Sequence, residues 1–378
     1  MEKKRLYCPR CQNKDPTYFY FGGKGWYCRK CIDFNRFLLS DKSEIDNDIK
    51  YIETQYVLPF NLSEKQVKVA KKIKDNYQKH NILVYATCGA GKTELLLDFL
   101  SDALSKGYKV GWAIPRRAVV LQLQQRLQDY FKDLIVIAVC QGYTTTIQGD
   151  LIICTTHQLF RYYKYFDYLV IDEPDSFPFK DNTVLKNIAI SSVKGKIIFL
   201  TATPDDFAYK HTSYQVELFE RPHKHPLDIP KVIRVISSLD HLVLSYYILK
   251  NKKKLLVFVP SIKMANSFGL LYRILCDCSV LTSKSDNKEK IVEDFIKKDN
   301  AVLISTTILE RGLTIPNVNV IVFQADSDIY DLAALVQMAG RVGRVKEYPS
   351  GKILFITNNS SIKVKKCIKS IENMNLAA

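Results

Sequence analysis

A run of small residues after a short apolar segment has the composition of a phosphate-binding loop. The apolar segment Ile82–Ala86 predicts a β-strand, and Thr87–Thr93 follows it directly. Small residues let backbone N–H groups approach phosphate oxygens, and the helix predicted to begin at Glu94 adds a favourable electric field. We therefore expect Lys92 to reach the β- and γ-phosphates of a nucleoside triphosphate and the Thr93 hydroxyl to bind Mg²⁺.

Two neighbouring carboxylates follow a second apolar segment. Tyr168–Ile171 predicts a strand, and Asp172 and Glu173 stand directly after it. The carboxyl end of a strand in a parallel sheet is where a second Mg²⁺ contact belongs. Asp172 is expected to hold the metal, and Glu173 to orient and deprotonate the attacking water. With Lys92 upstream, these residues predict hydrolysis of a nucleoside triphosphate, whereas a solvated acidic turn is the alternative.

An arginine-containing segment, Gln337–Arg344, offers a further catalytic element. Arg341 and Arg344 are three residues apart, a spacing that places two side chains on one face of a helix. Facing a nucleotide, they would stabilise charge on the transferred phosphoryl group as arginine fingers. The segment is predicted to lie in a different domain from Lys92, so that the nucleotide would lie between domains. Taken alone, the segment is weak evidence and is typical of a solvated turn.

Four cysteines near the amino terminus have the spacing of a structural zinc site. Cys8 and Cys11 form one C-x-x-C pair, Cys28 and Cys31 form another, and 16 residues separate the pairs. Four thiolates around one tetrahedral ion leave no open coordination position, so the predicted role is structural. The basic and aromatic residues around them fit both nucleic-acid contact and the packing of a very small core. They are Lys3, Lys4, Arg5, Arg10, Lys24, Arg29, Lys30, Tyr18, Phe19, Tyr20, Phe21 and Trp26.

Composition and charge limit the class of protein. The chain has 378 residues, 47% hydrophobic and 25% charged, which excludes a mostly disordered, collagen-like or coiled-coil protein. Its net charge of +16 favours a polyanionic partner, nucleic acid before membrane, although solubility alone is the simpler explanation. We find no secretory leader, no apolar run of about 18 residues and no secreted disulfide pattern among the cysteines. The sequence therefore favours a cytosolic protein with reduced thiols.

Apolar runs that alternate with helical segments must position these residues. The alternation predicts βαβ units and an α/β fold with two parallel-sheet domains behind the four-cysteine module. A segment with three prolines, Arg221–Pro230, is predicted to join the two domains. The predicted boundaries are residues 1–40 for the zinc module, 41–60 for a linker, 61–225 for the first, ATP-binding domain and 226–378 for the second.

The motifs, in their order along the chain, resemble those of superfamily 2 helicases and translocases. The matching segments are Leu62–Gln66, Ala86–Thr93, Pro115–Arg117, Thr155–His157, Asp172–Asp175, Thr201–Thr203, Thr306–Gly312 and Gln337–Arg344. The resemblance implies two tandem RecA-like domains and assigns roles to individual residues. Nucleotide-binding residues would be Gln66, Gly89, Ala90, Gly91, Lys92, Thr93, Glu94, Gly312, Arg341 and Arg344. Nucleic-acid contacts would come from Arg116, Arg117, Thr156, Thr306 and Thr307, and coupling between the two sites from Thr201, Thr203 and Gln337.

Longer strings are similar to the ComFA family of late-competence DNA-uptake ATPases, which shares the four-cysteine module. These strings are Thr155–Leu159, Phe166-Asp167, Ile171–Phe179, Ile198–Thr203, Ile308–Thr314 and Gly340–Arg344. The resemblance implies a cytosolic ATPase, stimulated by single-stranded DNA, that pulls transforming DNA through a membrane channel. Its cofactors would be ATP, Mg²⁺ and structural zinc. Its partners would be proteins of the ComFC and DprA types, through which it would reach the inner face of the membrane.

The residues themselves leave other functions open. RNA helicases share the same motor, as do DNA helicases that act in repair or replication restart, so the motor alone does not distinguish them. A zinc-bearing nucleic-acid scaffold that binds ATP only as a switch is an alternative of another class. The intact Glu173 argues against that scaffold, because a pure binder need not keep a catalytic acid.

Overall fold

The structure, a computed structural model, describes residues 6–40, 53–307 and 314–378. These residues divide into two compact units. The first unit holds the described residues up to Tyr85 together with Lys92–Glu217, and the second holds Ala86–Gly91 together with the described residues of Leu218–Ala378. The predicted phosphate loop is therefore divided, because its glycines group with the second unit and Lys92 groups with the first.

The four-cysteine module, residues 6–40, is a small part of the first unit. It contains an antiparallel hairpin of β1 (Phe19–Gly22) and β2 (Gly25–Cys28), flanked by 3-10 helices at Pro16–Tyr18 and Arg29–Phe34. Phe19 and all four cysteines are buried in it. With so few apolar residues, the module depends on its cysteine cluster and on its neighbours for stability.

A seven-stranded sheet forms the centre of the first unit. Its strands are β3 (Ile82–Ala86), β4 (Val110–Ile114), β5 (Val136–Val139), β6 (Leu151–Thr155), β7 (Phe166–Asp172), β8 (Val193–Thr201) and β9 (Tyr214–Leu218). The order across the sheet is β5-β6-β4-β7-β8-β3-β9, and the pairs from β5 to β3 are parallel. Every residue of β4 and β6 is buried, which is why these strands are continuous apolar runs in the sequence.

The helices of the first unit include the one predicted to follow the phosphate loop. They are α1 (Glu64–Asn76), α2 (Leu97–Ser105), α3 (Arg117–Tyr130), α4 (Thr183–Ser192) and α5 (Asp206–Lys210), with 3-10 helices at Glu94–Leu96 and Thr156–Arg161. A helix begins at Glu94, as predicted, and its first turn is a 3-10 helix that α2 continues from Leu97. Thr93 makes no capping hydrogen bond there, and its hydroxyl accepts one from Arg126 of α3 instead.

The second unit is built on a six-stranded parallel sheet. Its strands are β10 (Lys231–Arg234), β11 (Lys254–Phe258), β12 (Cys278–Leu281), β13 (Val302–Ser305), β14 (Val318–Val322) and β15 (Ile353–Thr357), in the order β10-β15-β14-β11-β13-β12. Its helices are α6 (Asp240–Lys250), α7 (Ile262–Tyr272), α8 (Lys288–Lys297), α9 (Leu332–Ala339) and α10 (Ile362–Leu376). One hydrophobic cluster lies between the sheet and α6 and α7, and α9 and α10 also bury apolar side chains.

The predicted α/β class, with two parallel sheets, is confirmed. Neither β1 nor β2 of the four-cysteine module was predicted, and two strands of the large sheets were missed as well. These are β9 and β10, which flank the segment with three prolines. Each lies at the edge of its sheet, and neither is apolar throughout. Exposed positions in these two edge strands interrupt the continuous apolar run by which the other strands were predicted.

In the part of the chain that the structure describes, no helix has the length and apolar character needed to cross a membrane.

Candidate nucleotide site and four-cysteine centre

The predicted acidic site lies at the carboxyl edge of the first sheet. Asp172 is the last residue of β7 and pairs in register with Leu200 of the neighbouring β8. Glu173 follows with a backbone φ of 56° and donates its N–H to the Leu200 carbonyl at 2.9 Å. A left-handed conformation is uncommon for glutamate and turns the chain sharply at the strand end. The structure thus fixes both predicted acids at the sheet edge through the backbone.

A buried carboxylate links this acidic turn to the end of β8. Asp175 is 3% exposed, and its two oxygens accept hydrogen bonds from the hydroxyls of Thr201 and Thr203, each at 2.7 Å. The Thr203 N–H also donates to the Thr201 hydroxyl at 2.9 Å. The two threonines predicted to couple the sites therefore meet the acidic turn, and the residue that receives them is Asp175. Sequence reasoning gave Asp175 no role of its own, although it stands in the same acidic string.

The hydroxyl predicted to bind Mg²⁺ has a cationic neighbour that the sequence did not indicate. Arg126 of α3 donates to the Thr93 hydroxyl at 2.5 Å, and its other terminal nitrogen lies 3.8 Å from a Glu94 carboxylate oxygen. The Tyr130 hydroxyl donates to the same Glu94 oxygen at 3.4 Å. One turn of α3 therefore holds the residues that follow Lys92.

Gln66, predicted to bind the nucleotide, has a local structural role in addition. Its side-chain oxygen accepts from the Ser63 N–H at 2.8 Å, while the Ser63 hydroxyl accepts from the Gln66 N–H at 3.2 Å. This reciprocal pair is a capping box at the start of α1. The Ser-x-x-Gln spacing was available in the sequence as a signal of a helix start, and the prediction did not use it.

The predicted arginine pair does not lie on a helix. The helix α9 ends at Ala339, so Arg341 and Arg344 lie in the turn that follows, and the prediction of one helical face is wrong. Gly343 has a φ of +67°, which L residues rarely adopt, so the turn needs glycine there. Arg341 is buried, and Arg344 donates through Nε to the Gly340 carbonyl at 2.7 Å.

Within the second unit, this turn meets the glycines of the phosphate loop. A Cβ added to Gly340 would lie 2.6 Å from the Cβ of Cys88, and one added to Gly89 would lie 3.9 Å from Cγ of Arg344. The predicted loop and the predicted arginine segment are therefore in contact. Gln337 of α9, a few residues before the turn, is buried. Gly312 lies outside the described residues, as do the other residues of 308–313.

The residues predicted to contact nucleic acid differ in exposure. Arg117 is exposed at the start of α3, where it donates through Nε to the Gln141 carbonyl at 2.9 Å and lies 5.5 Å from the ring centre of Tyr143. Thr156 is fully buried, so its hydroxyl does not reach the surface. Arg116, Thr306 and Thr307 are partly exposed. Tyr143 is 48% exposed beside Arg117 and is a stacking candidate that sequence reasoning missed.

The four predicted zinc ligands converge on one point. The sulfurs of Cys8 and Cys31 are 3.9 Å apart, those of Cys11 and Cys28 are 3.8 Å apart, and all four lie within 4.8 Å of one another. Tetrahedral Zn–S bonds of about 2.3 Å place neighbouring sulfurs about 3.8 Å apart. Hydrogen bonds among the four thiols move their pKa values apart. Cys11 lowers the pKa of Cys28 and that of Cys31, the latter to about 7, whereas the pKa values of Cys8 and Cys11 are raised. The donor set therefore fits one closed zinc site.

The basic and aromatic residues around the cysteines divide between core and surface. Arg10 is only 2% exposed and donates to the carbonyls of Cys31, Phe34 and Asn35, so it is a structural residue of the module and not a surface contact. Phe19 is also buried. By contrast, Tyr18, Tyr20 and Phe21 are exposed, and Lys30 and Arg29 lie over the rings of Tyr18 and Tyr20, respectively.

The four-cysteine module packs directly on the first unit. The Asn187 side chain of α4 donates to the Cys11 carbonyl at 2.9 Å, and Phe34 stacks on His157 with ring centres 6.0 Å apart. His157 belongs to the 3-10 helix Thr156–Arg161, and burial lowers the pKa of its imidazole. The cysteines and the core of the first unit form one continuous apolar cluster. The four-cysteine module therefore packs against a segment predicted to contact nucleic acid.

Known proteins match this chain over its whole length. A family model described as type III restriction enzyme, res subunit, matches residues 59–206, and one described as helicase conserved C-terminal domain matches residues 234–346. The chain is 34% identical over 400 residues to the competence protein ComFA of Streptococcus pneumoniae, covering 100% of this chain and 92% of that protein. The chain belongs to the ComFA family. ComFA of Bacillus subtilis is 31% identical, with 99% of this chain and 87% of that protein covered.

Structural comparison confirms the predicted fold of this ComFA family member. A structure of S. cerevisiae Dbp5 bound to RNA and ADP BeF3 matches with a TM-score of 0.59 and 18% identity, covering 83% of this chain and 92% of that chain. Two RecA-like domains are thereby confirmed.

The two helicase family matches and the ComFA relatives make the chain an ATP-hydrolysing enzyme of the helicase type, with ATP and Mg²⁺ as its cofactors. The hydroxyl of Thr93 and the carboxylate of Asp172 are hard oxygen donors of the kind that Mg²⁺ prefers.

We expect this member of the ComFA family to contain about one zinc ion per chain, because the four sulfurs match the geometry of one closed site. Removing the metal should lower the unfolding temperature by several degrees, since the cysteines share an apolar cluster with the first unit. Elemental analysis and thermal unfolding with and without a chelator measure both effects. Cys28→Ser should lose the zinc and Cys276→Ser should keep it, and a metal-free wild type with unchanged unfolding would contradict the assignment.

Proposed function

We propose that the chain is an ATP-dependent translocase on single-stranded DNA that drives the import of transforming DNA during natural competence. The observation that carries the proposal is its similarity to two competence proteins over essentially the whole chain, the four-cysteine module included. A motor shared with other helicases does not by itself select a substrate, whereas the match to these two relatives spans the residues of the module as well as those of the motor. The proposal therefore rests on the complete chain.

The chemistry follows from the residues at the sheet edge and in the phosphate loop. Lys92 would neutralise the β- and γ-phosphates, and Thr93 and Asp172 would hold Mg²⁺, which supplies charge neutralisation at the phosphates when bound. Before that can happen the Thr93 hydroxyl must leave Arg126, to which it is bonded in this structure. Glu173, fixed by its backbone bond to β8, would orient the attacking water and accept its proton.

The arginine turn would complete the nucleotide site. Arg341 and Arg344 would stabilise charge on the transferred phosphoryl group. Support comes from the contact between their turn and the glycines of the phosphate loop within the second unit. Gln66, Glu94 and Gly312 are proposed nucleotide contacts on the family resemblance.

Coupling of hydrolysis to movement would pass through Asp175 and its two threonines. Thr201 and Thr203 bond to the acidic turn that carries Asp172 and Glu173, so a change at the γ-phosphate would reach the end of β8 through two hydrogen bonds. Gln337 would act with them. A chain of contacts is not itself evidence of coupling, so this step is tested by substitution.

The protein would hold DNA through contacts to its phosphates and by stacking on its bases, without reading the base sequence. Arg117 and Tyr143 form an exposed cation and aromatic pair suited to one phosphate and one base. Arg116, Thr306 and Thr307 are proposed to add phosphate contacts. Thr156 would contribute through its backbone, because its hydroxyl is buried.

The proposed activity implies a place in the cell and a division of the chain into domains. The protein would act in the cytoplasm, reaching the inner face of the membrane through partners of the ComFC and DprA types. The zinc module would span residues 1–40, a linker 41–60, the first helicase domain 61–225 and the second 226–378.

Nucleic-acid stimulation of the ATPase tests this function. We expect single-stranded DNA to raise the steady-state hydrolysis rate at least about tenfold, and duplex DNA and RNA to raise it far less, because a stimulated translocase couples turnover to its track. The effect should weaken as salt rises, since phosphate contacts release counterions. Arg117→Ala should increase the DNA concentration needed for half-maximal stimulation, and Lys132→Ala, which removes an exposed cation of the same unit, serves as its control.

Each other outcome rejects the proposal in a defined way. Preference for RNA would make the protein an RNA-remodelling enzyme. Preference for branched or duplex DNA would indicate repair or replication restart. ATP binding without turnover in the presence of every nucleic acid would indicate a zinc-bearing scaffold switched by ATP.

A further inference from the structure

The second unit contains a buried arginine that no predicted motif includes. Arg221 is 2% exposed. Its Nε donates to the Cys88 carbonyl at 3.1 Å, and its Nη1 donates to the carbonyls of Val342 and Gly343 at 3.0 and 2.7 Å. Three backbone carbonyls, one in the phosphate loop and two in the arginine turn, therefore hold this guanidinium in one orientation.

The third nitrogen of this guanidinium is Nη2. Among the described residues, Nη2 of Arg221 is buried and has no hydrogen-bond partner. The three acceptors are neutral, and burial is the main reason that the pKa of Arg221 falls to about 10. Attraction to Cys88 and, more weakly, to Asp228 opposes this effect of burial, whereas repulsion from Arg344 adds to it. Burying a cation without a counter-charge is costly, so an anion at this point would stabilise the unit.

The position of Arg221 indicates which anion would bind at Nη2. A Cβ added to Gly89 of the phosphate loop would lie 3.5 Å from Nε of Arg221 and 3.9 Å from Cγ of Arg344. Gly89 itself has a φ of +84°, which L residues rarely adopt, and without a side chain it allows a ligand to approach the loop backbone closely. Two arginines therefore approach one residue of a loop whose sequence predicts phosphate binding.

We propose that Arg221 is a phosphate-binding residue of the nucleotide site, in which Nη2 donates to an oxygen of the nucleotide's phosphate chain. The carbonyls of Cys88, Val342 and Gly343 pre-orient the guanidinium, so little side-chain entropy is lost when the phosphate arrives. The charge-assisted bond then satisfies the last buried donor. This inference rests on the proposed nucleotide site and adds a residue to it.

Arg221→Gln tests the role, because the amide can still donate to backbone carbonyls but carries no charge. We expect the dissociation constants of ATP, ADP and pyrophosphate to rise about tenfold, with a much smaller change for adenosine. The unfolding temperature without ligand should change little. Arg273→Gln, which removes an exposed arginine of the same unit, should leave all four affinities at the wild-type values.

The controls separate this inference from the proposed function. If the wild type binds neither ATP nor pyrophosphate, the nucleotide site itself is rejected. If the wild type binds them and Arg221→Gln binds them equally well while unfolding earlier, Arg221 only joins the loop to the turn and the inference is overturned.

A measurement on the wild type tests the inference even if the Arg221→Gln variant does not fold. With selective arginine ¹⁵N labelling, the Nη resonance of Arg221 should shift on addition of pyrophosphate or ATP and stay in place with adenosine. No shift at saturating pyrophosphate would overturn the inference. The pyrophosphate and nucleotide arms also show whether the phosphate chain alone is the ligand or the whole nucleotide is needed.

Discussion

Lys92→Ala is expected to lower the rate of ATP hydrolysis at least about 100-fold, the largest effect of any single substitution in this chain. The ammonium group is expected to stabilise charge on the β- and γ-phosphates, and loss of one group that stabilises a transition state costs about 10²- to 10³-fold in rate. The side chain is partly exposed, so its removal should leave the fold intact. Steady-state hydrolysis at saturating single-stranded DNA measures the loss, with circular dichroism as the check on folding.

A matched lysine shows whether the loss is specific. Lys106 lies on the same unit and forms an exposed ion pair with Asp102 at 2.6 Å, and such pairs contribute little. Lys106→Ala should therefore hydrolyse ATP at close to the wild-type rate. A Lys92→Ala protein that kept more than about a tenth of wild-type turnover would place the phosphate-binding cation elsewhere.

Asp175→Ala is expected to lower both stability and turnover. The buried carboxylate accepts two hydroxyl hydrogen bonds, and loss of bonds to a charged group should cost about 3 kcal/mol of unfolding free energy. The acidic turn before it would lose its side-chain bonds to Thr201 and Thr203, so we expect hydrolysis to fall at least about tenfold. Urea unfolding and steady-state hydrolysis are the two measurements.

Conservative variants separate the structural part of this effect from the catalytic part. Thr201→Val with Thr203→Val keeps Asp175 but removes both donors, and it should reproduce the loss of DNA-stimulated hydrolysis. Asp181→Ala, which removes an exposed acid from the same segment, should change neither quantity. If Asp175→Ala were destabilised but kept wild-type stimulation by DNA, the hydrogen bonds would serve the fold alone and the coupling role would be rejected.

The strand ends and the cysteine pairs could be predicted because their signals are local. A buried parallel strand is apolar at every residue, so the runs around Val110–Ile114 and Leu151–Thr155 indicated their own positions. Residues that follow such strands must then lie along one sheet edge, which placed Asp172 correctly. The short spacing within each C-x-x-C pair allowed one metal site to be predicted from the sequence.

Local patterns failed where a side chain's partner lies far along the chain. Arg10 stands among surface-type basic residues, yet its guanidinium bonds to carbonyls more than twenty residues away and is buried by them. Arg341 and Arg344 have helical spacing, but Gly340 and a left-handed Gly343 end the helix first. The spacing of two residues constrains their direction only if the backbone between them is regular.

The amino-acid sequence by itself therefore determined the α/β class, the four-cysteine cluster and the strand ends that carry the acids. Only the tertiary structure decided that Arg126 bonds to Thr93, that Asp175 receives two threonines, and that Arg221 lies buried against Cys88 and Gly343. These contacts join residues separated by 26 to 133 positions. Periodicity and motif spacing describe neighbours along the chain, whereas burial of a charge depends on which distant backbone groups surround it.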